Sequence, residues 1–189
     1  MNLDDYGILF REALSRTGIA VPEGTLLHRA AEEVIEMAAA YQDDGTTFLG
    51  NGDPVNALAG FAYGLGWLDA GLRLGLLAPL AAHPPGEVDA CIPDAKSAHL
   101  HEKTYRYRRM LQSALTMVEA GPDEASPLYA GSRELHATAR SWYVEGVERL
   151  EAGDLASALA RFSYGYAWLD AGIRAGLLRV TGERGLFTV

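Results

Sequence analysis

Two Asp/Arg pairs supply the charge-bearing chemistry that this sequence repeats. Asp69 and Arg73 stand four residues apart, as do Asp170 and Arg174. At that helical spacing a carboxylate and a guanidinium can pair along one helix or, when partly buried, reach a neighbouring helix end or a bound anion. Tyr63 and Trp67 lie one turn apart on a further edge of the same segment, and Tyr164 and Trp168 repeat them. Such rings form either a ligand wall or, more commonly, a buried core with a polar tip. These eight residues are the candidate polar site, either an interhelical contact or a small-molecule pocket.

Other chemistry has weaker support. Gly64-x-Gly66 falls inside a helical pattern, follows no strand and lacks the Gly-Lys-Ser/Thr of a phosphate-binding loop. None of the five histidines is shared at equivalent places, and His99 and His101 are two apart, on different faces of a helix. No metal site, no cofactor and no catalytic triad is expected. One cysteine, Cys91, excludes an intramolecular disulfide and suits a reducing compartment. The segment 96–109 carries Lys96, Lys103, Arg106, Arg108 and Arg109 against Glu102, with Tyr105 and Tyr107 interleaved. It reads as a solvated helix face, with nucleic acid as the less favoured partner.

The elements that position these residues follow from an internal repeat. The run from Gly52 to Leu77 recurs from Gly153 to Leu178, 101 positions later and without a gap, with 17 of 26 residues identical. Second helices align at the same offset, Ala38 over Ala139, Tyr41 over Trp142, Gly45 over Gly146 and Leu49 over Leu150. Prolines and glycines punctuate helices near 3–17, 25–50, 54–77, 95–120, 127–152 and 154–178. The fold class is therefore all-α: two tandem three-helix units packed with pseudo-twofold symmetry. Repeat 1 spans 1–80, a Pro-rich linker 81–94, repeat 2 95–178 and a tail 179–189.

Asp53 and Asp154 each follow a glycine and precede an apolar run, the position at which a carboxylate caps free backbone amides. Beyond them, Leu58, Phe61, Leu65, Leu68 and Leu72 form one arc, matched by Leu159, Phe162, Tyr166, Leu169 and Ile173. The opposite side is a stripe of small residues. Ala59, Ala62, Gly66 and Ala70 answer Ala160, Ser163, Ala167 and Ala171. Ala59, Gly66 and Ala70 are accordingly expected to pack against Ala160, Ala167 and Ala171. In the fourth helix Leu100, Tyr107, Leu111, Ala114 and Val118 make a core stripe that leaves Lys103, Arg106 and Arg109 largely outside.

The net charge of −9 sits entirely in the first half: residues 1–92 hold 13 acidic and 4 basic side chains, residues 93–189 hold 12 of each. This disfavours broad nucleic-acid binding. No basic leader precedes an apolar core at the N-terminus, and the longest apolar stretch, Pro54 to Leu68, is too short to span a bilayer. A cytoplasmic protein is expected.

The run Gly-Asp-x-x-x-Ala-Leu-Ala-x-Phe-Ser/Ala-Tyr-Gly-x-x-Trp-Leu-Asp-Ala-Gly-x-Arg-x-Gly-Leu-Leu resembles the signature of an archaeal family catalogued as domain of unknown function 357. The resemblance covers roughly Tyr6 to Leu77 and Arg109 to Leu178, with Ser126-Pro-Leu-Tyr129 in the second half and Thr25-Leu-Leu-His28 in its place in the first. It implies small helical bundles in an archaeal cytoplasm, and it brings no catalytic residues. Arg161 for Gly60 and Tyr166 for Leu65 depart from equivalence. The favoured function is a non-catalytic interaction or assembly module with a protein partner, a second copy included. The alternatives are a small-molecule or nucleotide-handling protein using the Asp/Arg pairs and aromatics, and a nucleic-acid accessory protein acting through 96–109.

Overall fold

The computed structural model describes residues 2–79, 92–182 and 184–187. Six α-helices account for most of them: α1 (Leu3–Arg16), α2 (Leu26–Gly50), α3 (Pro54–Arg73), α4 (Ser97–Thr116), α5 (Tyr129–Glu151) and α6 (Leu155–Arg174). Cys91 and residues 81–91 of the expected linker lie outside the described residues.

Local chemistry sets where these helices start and stop. Asn2, Thr25, Asp53 and Asp154 cap α1, α2, α3 and α6, each side chain accepting from the amide three residues on. The α2–α3 and α5–α6 corners are built alike. Gly52 and Gly153 adopt left-handed φ of 70° and 81°, so that the Asp53 and Asp154 amides reach back to the Phe48 and Arg149 carbonyls at 2.8 and 2.9 Å. Each capping aspartate thus closes one helix with its backbone and opens the next with its carboxylate.

Three helices are shorter than the sequence pattern suggested. α3 ends at Arg73 rather than near 77, α6 at Arg174 rather than near 178, and α4 at Thr116 rather than near 120. Gly75 and Gly176, with φ of 71° and 72°, terminate α3 and α6. The amides of Leu76 and Leu177 then bond the Gly71 and Gly172 carbonyls, so the following leucines leave the helix axis. Freed from the helix, these segments form short antiparallel strands that the pattern did not indicate. β1 (Gly18–Ile19) pairs with β2 (Leu77–Ala78), and β3 (Val118–Ala120) pairs with β4 (Leu178–Val180). Val118, expected on the α4 stripe, is a buried strand residue instead. Part of the expected tail, Arg179–Val180, lies in β4, and Phe187 stacks on Tyr166 with ring centroids 6.2 Å apart.

Helices α3 and α6 are buried from all sides, over Ala57–Leu72 and Ser157–Gly172. A helix apolar around its whole circumference needs packing partners in every direction. Here α1 and α2 cover α3, α4 and α5 cover α6, and α3 and α6 lie against each other along their length. The molecule is two three-helix units joined through their central helices, with equivalent residues facing one another about a pseudo-twofold axis. Within the first unit Phe61 projects from α3 into the notch left by Gly7 and Gly45, and Phe162 fills the matching notch at Gly146.

Candidate functional site

The small-residue stripes lie in the α3–α6 seam. A Cβ placed on Gly66 would stand 2.6 Å from the Tyr164 carbonyl oxygen and 2.7 Å from the Ala167 Cβ. Ala59, Ala70, Ala160, Ala167 and Ala171 are all buried. Such close backbone approach brings the polar side chains of each central helix within reach of the other.

Those side chains cross the seam in reciprocal pairs. The Tyr164 hydroxyl donates to Asp69 Oδ2 at 2.5 Å, and its counterpart Tyr63 donates to Asp170 Oδ2. All four residues are buried. Burial, reinforced by the Asp69 charge and hydrogen bond, pushes the Tyr164 hydroxyl well above the ordinary phenol range. Behind these bonds the rings repeat as well: Tyr41 packs on Tyr63 at 4.4 Å between centroids and Trp142 on Tyr164 at 4.8 Å. Trp67 and Trp168 are buried beyond them, part of the core.

The arginines also cross, but not to the aspartates on their own helices. Arg73 Nε donates to Glu134 Oε1 on α5 at 2.9 Å, and Arg174 Nε donates to Glu33 Oε2 on α2 at 2.6 Å. Of the arrangements the four-residue spacing allowed, a pair along one helix or a reach to a neighbouring one, each arginine makes the second. Arg73 and Arg174 end their helices with half-exposed side chains at the seam's edge, whereas Asp69 and Asp170 lie a turn deeper, sealed against the opposing tyrosines. Glu33 and Glu134, absent from the candidate residues, are 101 positions apart like every other repeated pair. Their shared register in the second helices was the available signal.

Asp53 and Asp154 accept from Asn56 N at 3.2 Å and Ser157 N at 3.0 Å. Asp53 also lies 3.7 Å from His99 Nδ1. Burial opposes its charge, yet the two Asn56 hydrogen bonds and the field of His99 outweigh that and hold its carboxyl below the usual range.

The basic segment divides. Lys103 is buried, contrary to its expected place on the solvated face, because its stem enters the α4–α3 junction and its ammonium donates to Asn56 Oδ1 beneath the Tyr107 ring. Burial, with Arg106 nearby, lowers its pKa. Arg106 and Arg109 remain exposed.

A cavity of about 180 Å³ opens where α2, α3, α4 and α6 meet, bordered by Tyr41, Asp44, Gly60, Lys103, Tyr107 and Tyr166. Of the eight candidate polar residues, Tyr63 reaches its wall. Arg174 borders a separate hollow with Arg179 and Arg184. No group of three or more His, Cys, Asp or Glu side chains able to hold a metal occurs among the described residues. No helix of the described residues is long and apolar enough to cross a membrane.

The fold and seam define an all-α tandem duplication whose shared polar residues meet between the copies. The family model described as "Protein of unknown function (DUF357)" matches twice, over residues 5–77 and 106–178, and the chain belongs to that family. Neither the curated proteins nor the solved structures contain a match.

Proposed function

We propose that this chain is a non-catalytic helical assembly module, in which the repeated motif joins two copies of the unit through their central helices. The observation that supports this reading is the reciprocal crossing of the motif's own polar groups. Tyr63, Asp69, Arg73 and their counterparts Tyr164, Asp170 and Arg174 all bond to the opposite repeat. Groups so engaged are held against partner residues rather than presented to a substrate. Repeat 1 (1–80) and repeat 2 (95–178) are then halves of one pseudo-dimer, with 81–94 as the connection. The chain's partners are proteins rather than nucleic acid, and its acidic surface and single cysteine suit the cytoplasm.

The test is to sever the connection and produce residues 1–79 and 92–189 as separate polypeptides in one cell. The two pieces should co-purify one to one. Each alone should self-associate or fail to fold, because its buried tyrosine and aspartate lack their mates. Two independently folded monomers that ignore each other would contradict the proposal.

A further inference from the structure

A cavity opens at Gly60 on one side of the pseudo-twofold axis, and the equivalent place on the other side holds the buried Arg161 side chain. The residues of the equivalent place across the axis follow from the 101-residue offset: Arg161 for Gly60, Glu145 for Asp44 and Ser157 for Asn56 from the second unit, and Tyr6 of α1, in the first unit, for Tyr107 of α4. There the Arg161 side chain occupies the space itself. It is 6% exposed, its Nε lies 3.6 Å from Glu145 Oε2, and its Nη1 donates to the Ser157 carbonyl at 3.2 Å. Its charge is also felt at the buried Tyr6 hydroxyl. At Gly60 no side chain of the described residues does this. A Cβ there would rest in ordinary van der Waals contact with the backbone of Gly45 and Tyr41, 3.6 Å away, so a side chain could start from this position without a clash.

The charges differ as well as the shape. The second unit places two arginines at these positions, Arg161 and Arg149, against Glu145; in the first, Gly60 and Phe48 replace both arginines while Asp44 keeps the acidic place. Lys103 of α4, whose equivalent across the axis is Asn2 of the first unit, restores one positive charge. Its ammonium is already bonded to Asn56 Oδ1. The Gly60 side of the axis is thus one cation short of the Arg161 side, around a cavity walled by the rings of Tyr41, Tyr63, Tyr107 and Tyr166; ring faces favour a cation.

We infer that the Gly60 cavity binds a guanidinium carried on a short alkyl chain, seated as the Arg161 side chain is seated in the second unit, with Asp44 as its counter-ion. The inference goes beyond the assembly reading and rests on it in one respect, since residues of both units wall the cavity. The two are told apart by experiment: halves that co-purify while the intact chain ignores the guanidine overturn this inference alone, and halves that ignore each other overturn the assembly reading.

The probe is n-propylguanidine, the Arg161 side chain cut at its Cα, added to the full-length protein in thermal unfolding and calorimetric titration. At ten times its Kd it should raise the melting temperature saturably, by about 3 °C. The uncharged n-propylurea, of nearly the same shape, and inorganic phosphate should give no shift. Gly60→Arg should melt higher than wild type without ligand and lose the response, since the chain then supplies its own guanidinium. Asp44→Asn alters an exposed carboxylate and should keep the apo melting temperature while weakening binding about tenfold. It therefore decides the matter if Gly60→Arg fails to fold. Equal response to the urea, stabilisation by phosphate instead of the guanidine, or unchanged binding in Asp44→Asn would each overturn the inference.

Discussion

The Tyr164 hydroxyl and the Asp69 carboxylate meet at 2.5 Å across the boundary between two copies of one sequence. Tyr63 and Asp170 repeat the bond in the opposite direction. Neither bond closes within a repeat, so each motif is completed by its twin. The same holds one layer outward, where Arg73 reaches Glu134 and Arg174 reaches Glu33. Duplication thus produced a molecule whose interior is an interface between equivalents.

Two glycines on α3 should respond oppositely to one methyl group. At Gly66 the new Cβ would press on the Tyr164 carbonyl and Ala167, forcing the central helices apart. Gly66→Ala should cost about 1–3 kcal/mol. At Gly60 the methyl has room, so Gly60→Ala should stabilise by about 0.5–1 kcal/mol through the lower entropy of the unfolded chain. Urea unfolding of both variants checks the contrast.

The outer ion pairs should matter little to stability. Arg73 and Glu134 are each about half exposed, and Arg174 and Glu33 somewhat less so. Arg73→Ala and Arg174→Ala should each cost no more than about 1 kcal/mol, and less in high salt. Unfolding curves at low and high ionic strength would read this directly.

Alkali should unfold the protein through its buried phenols. Tyr6, Tyr164 and Tyr166 are pushed up by burial first and by nearby carboxylates second. Above the unfolded phenol pKa of about 10 the native state holds more protons than the unfolded one, so stability is present below that pH and lost as pH rises through it. Lys103 works the other way, since its lowered pKa makes stability rise with pH just below the ordinary lysine value. With Tyr107, also raised by burial, four phenols outweigh one amine. Tyrosinate absorbance from these residues should appear together with unfolding, and Tyr164→Phe should flatten the alkaline loss.

Nucleic acid should bind poorly. Of the five cations of the basic segment, Lys103 is buried and Arg106 lies 3.6 Å from Glu102, which leaves three to neutralise phosphates on a chain of net charge −9. Titration with mixed-sequence single strands and duplexes at physiological salt should give a Kd no tighter than about 10⁻⁵ M. Tight, salt-sensitive binding lost in the double variant Arg106→Ala, Arg109→Ala would contradict this.

The sequence displayed the architecture because the duplication left 17 identities in register and because the stripe Ala59, Ala62, Gly66, Ala70 required a second packing partner. Helix ends were overshot where Gly75 and Gly176 are followed by leucines that continue the apolar pattern but not the helix. The partners of Arg73 and Arg174 were missed for a different reason. Spacing tells which residues of one helix can meet, and says nothing of a glutamate brought closer by another helix. Glu33 and Glu134 were visible only as a matched pair without an assigned role. The Gly60 cavity is less legible still, since residues of α2, α3, α4, α6 and the segment at Leu186 bound it, although the Arg161 and Tyr166 departures both fall on it or its twin.

The central claim, that the motif's aspartate serves the opposite repeat, is tested most directly by a double-mutant cycle between Tyr164→Phe and Asp69→Leu, read by urea unfolding. The two should couple by about 1.5–3 kcal/mol, as for a buried hydrogen bond to a carboxylate. A parallel cycle of Asp69→Leu with Arg73→Ala should couple by no more than about 0.5 kcal/mol. Additive effects at Tyr164 and Asp69, or a larger coupling of Asp69 to Arg73, would contradict the account.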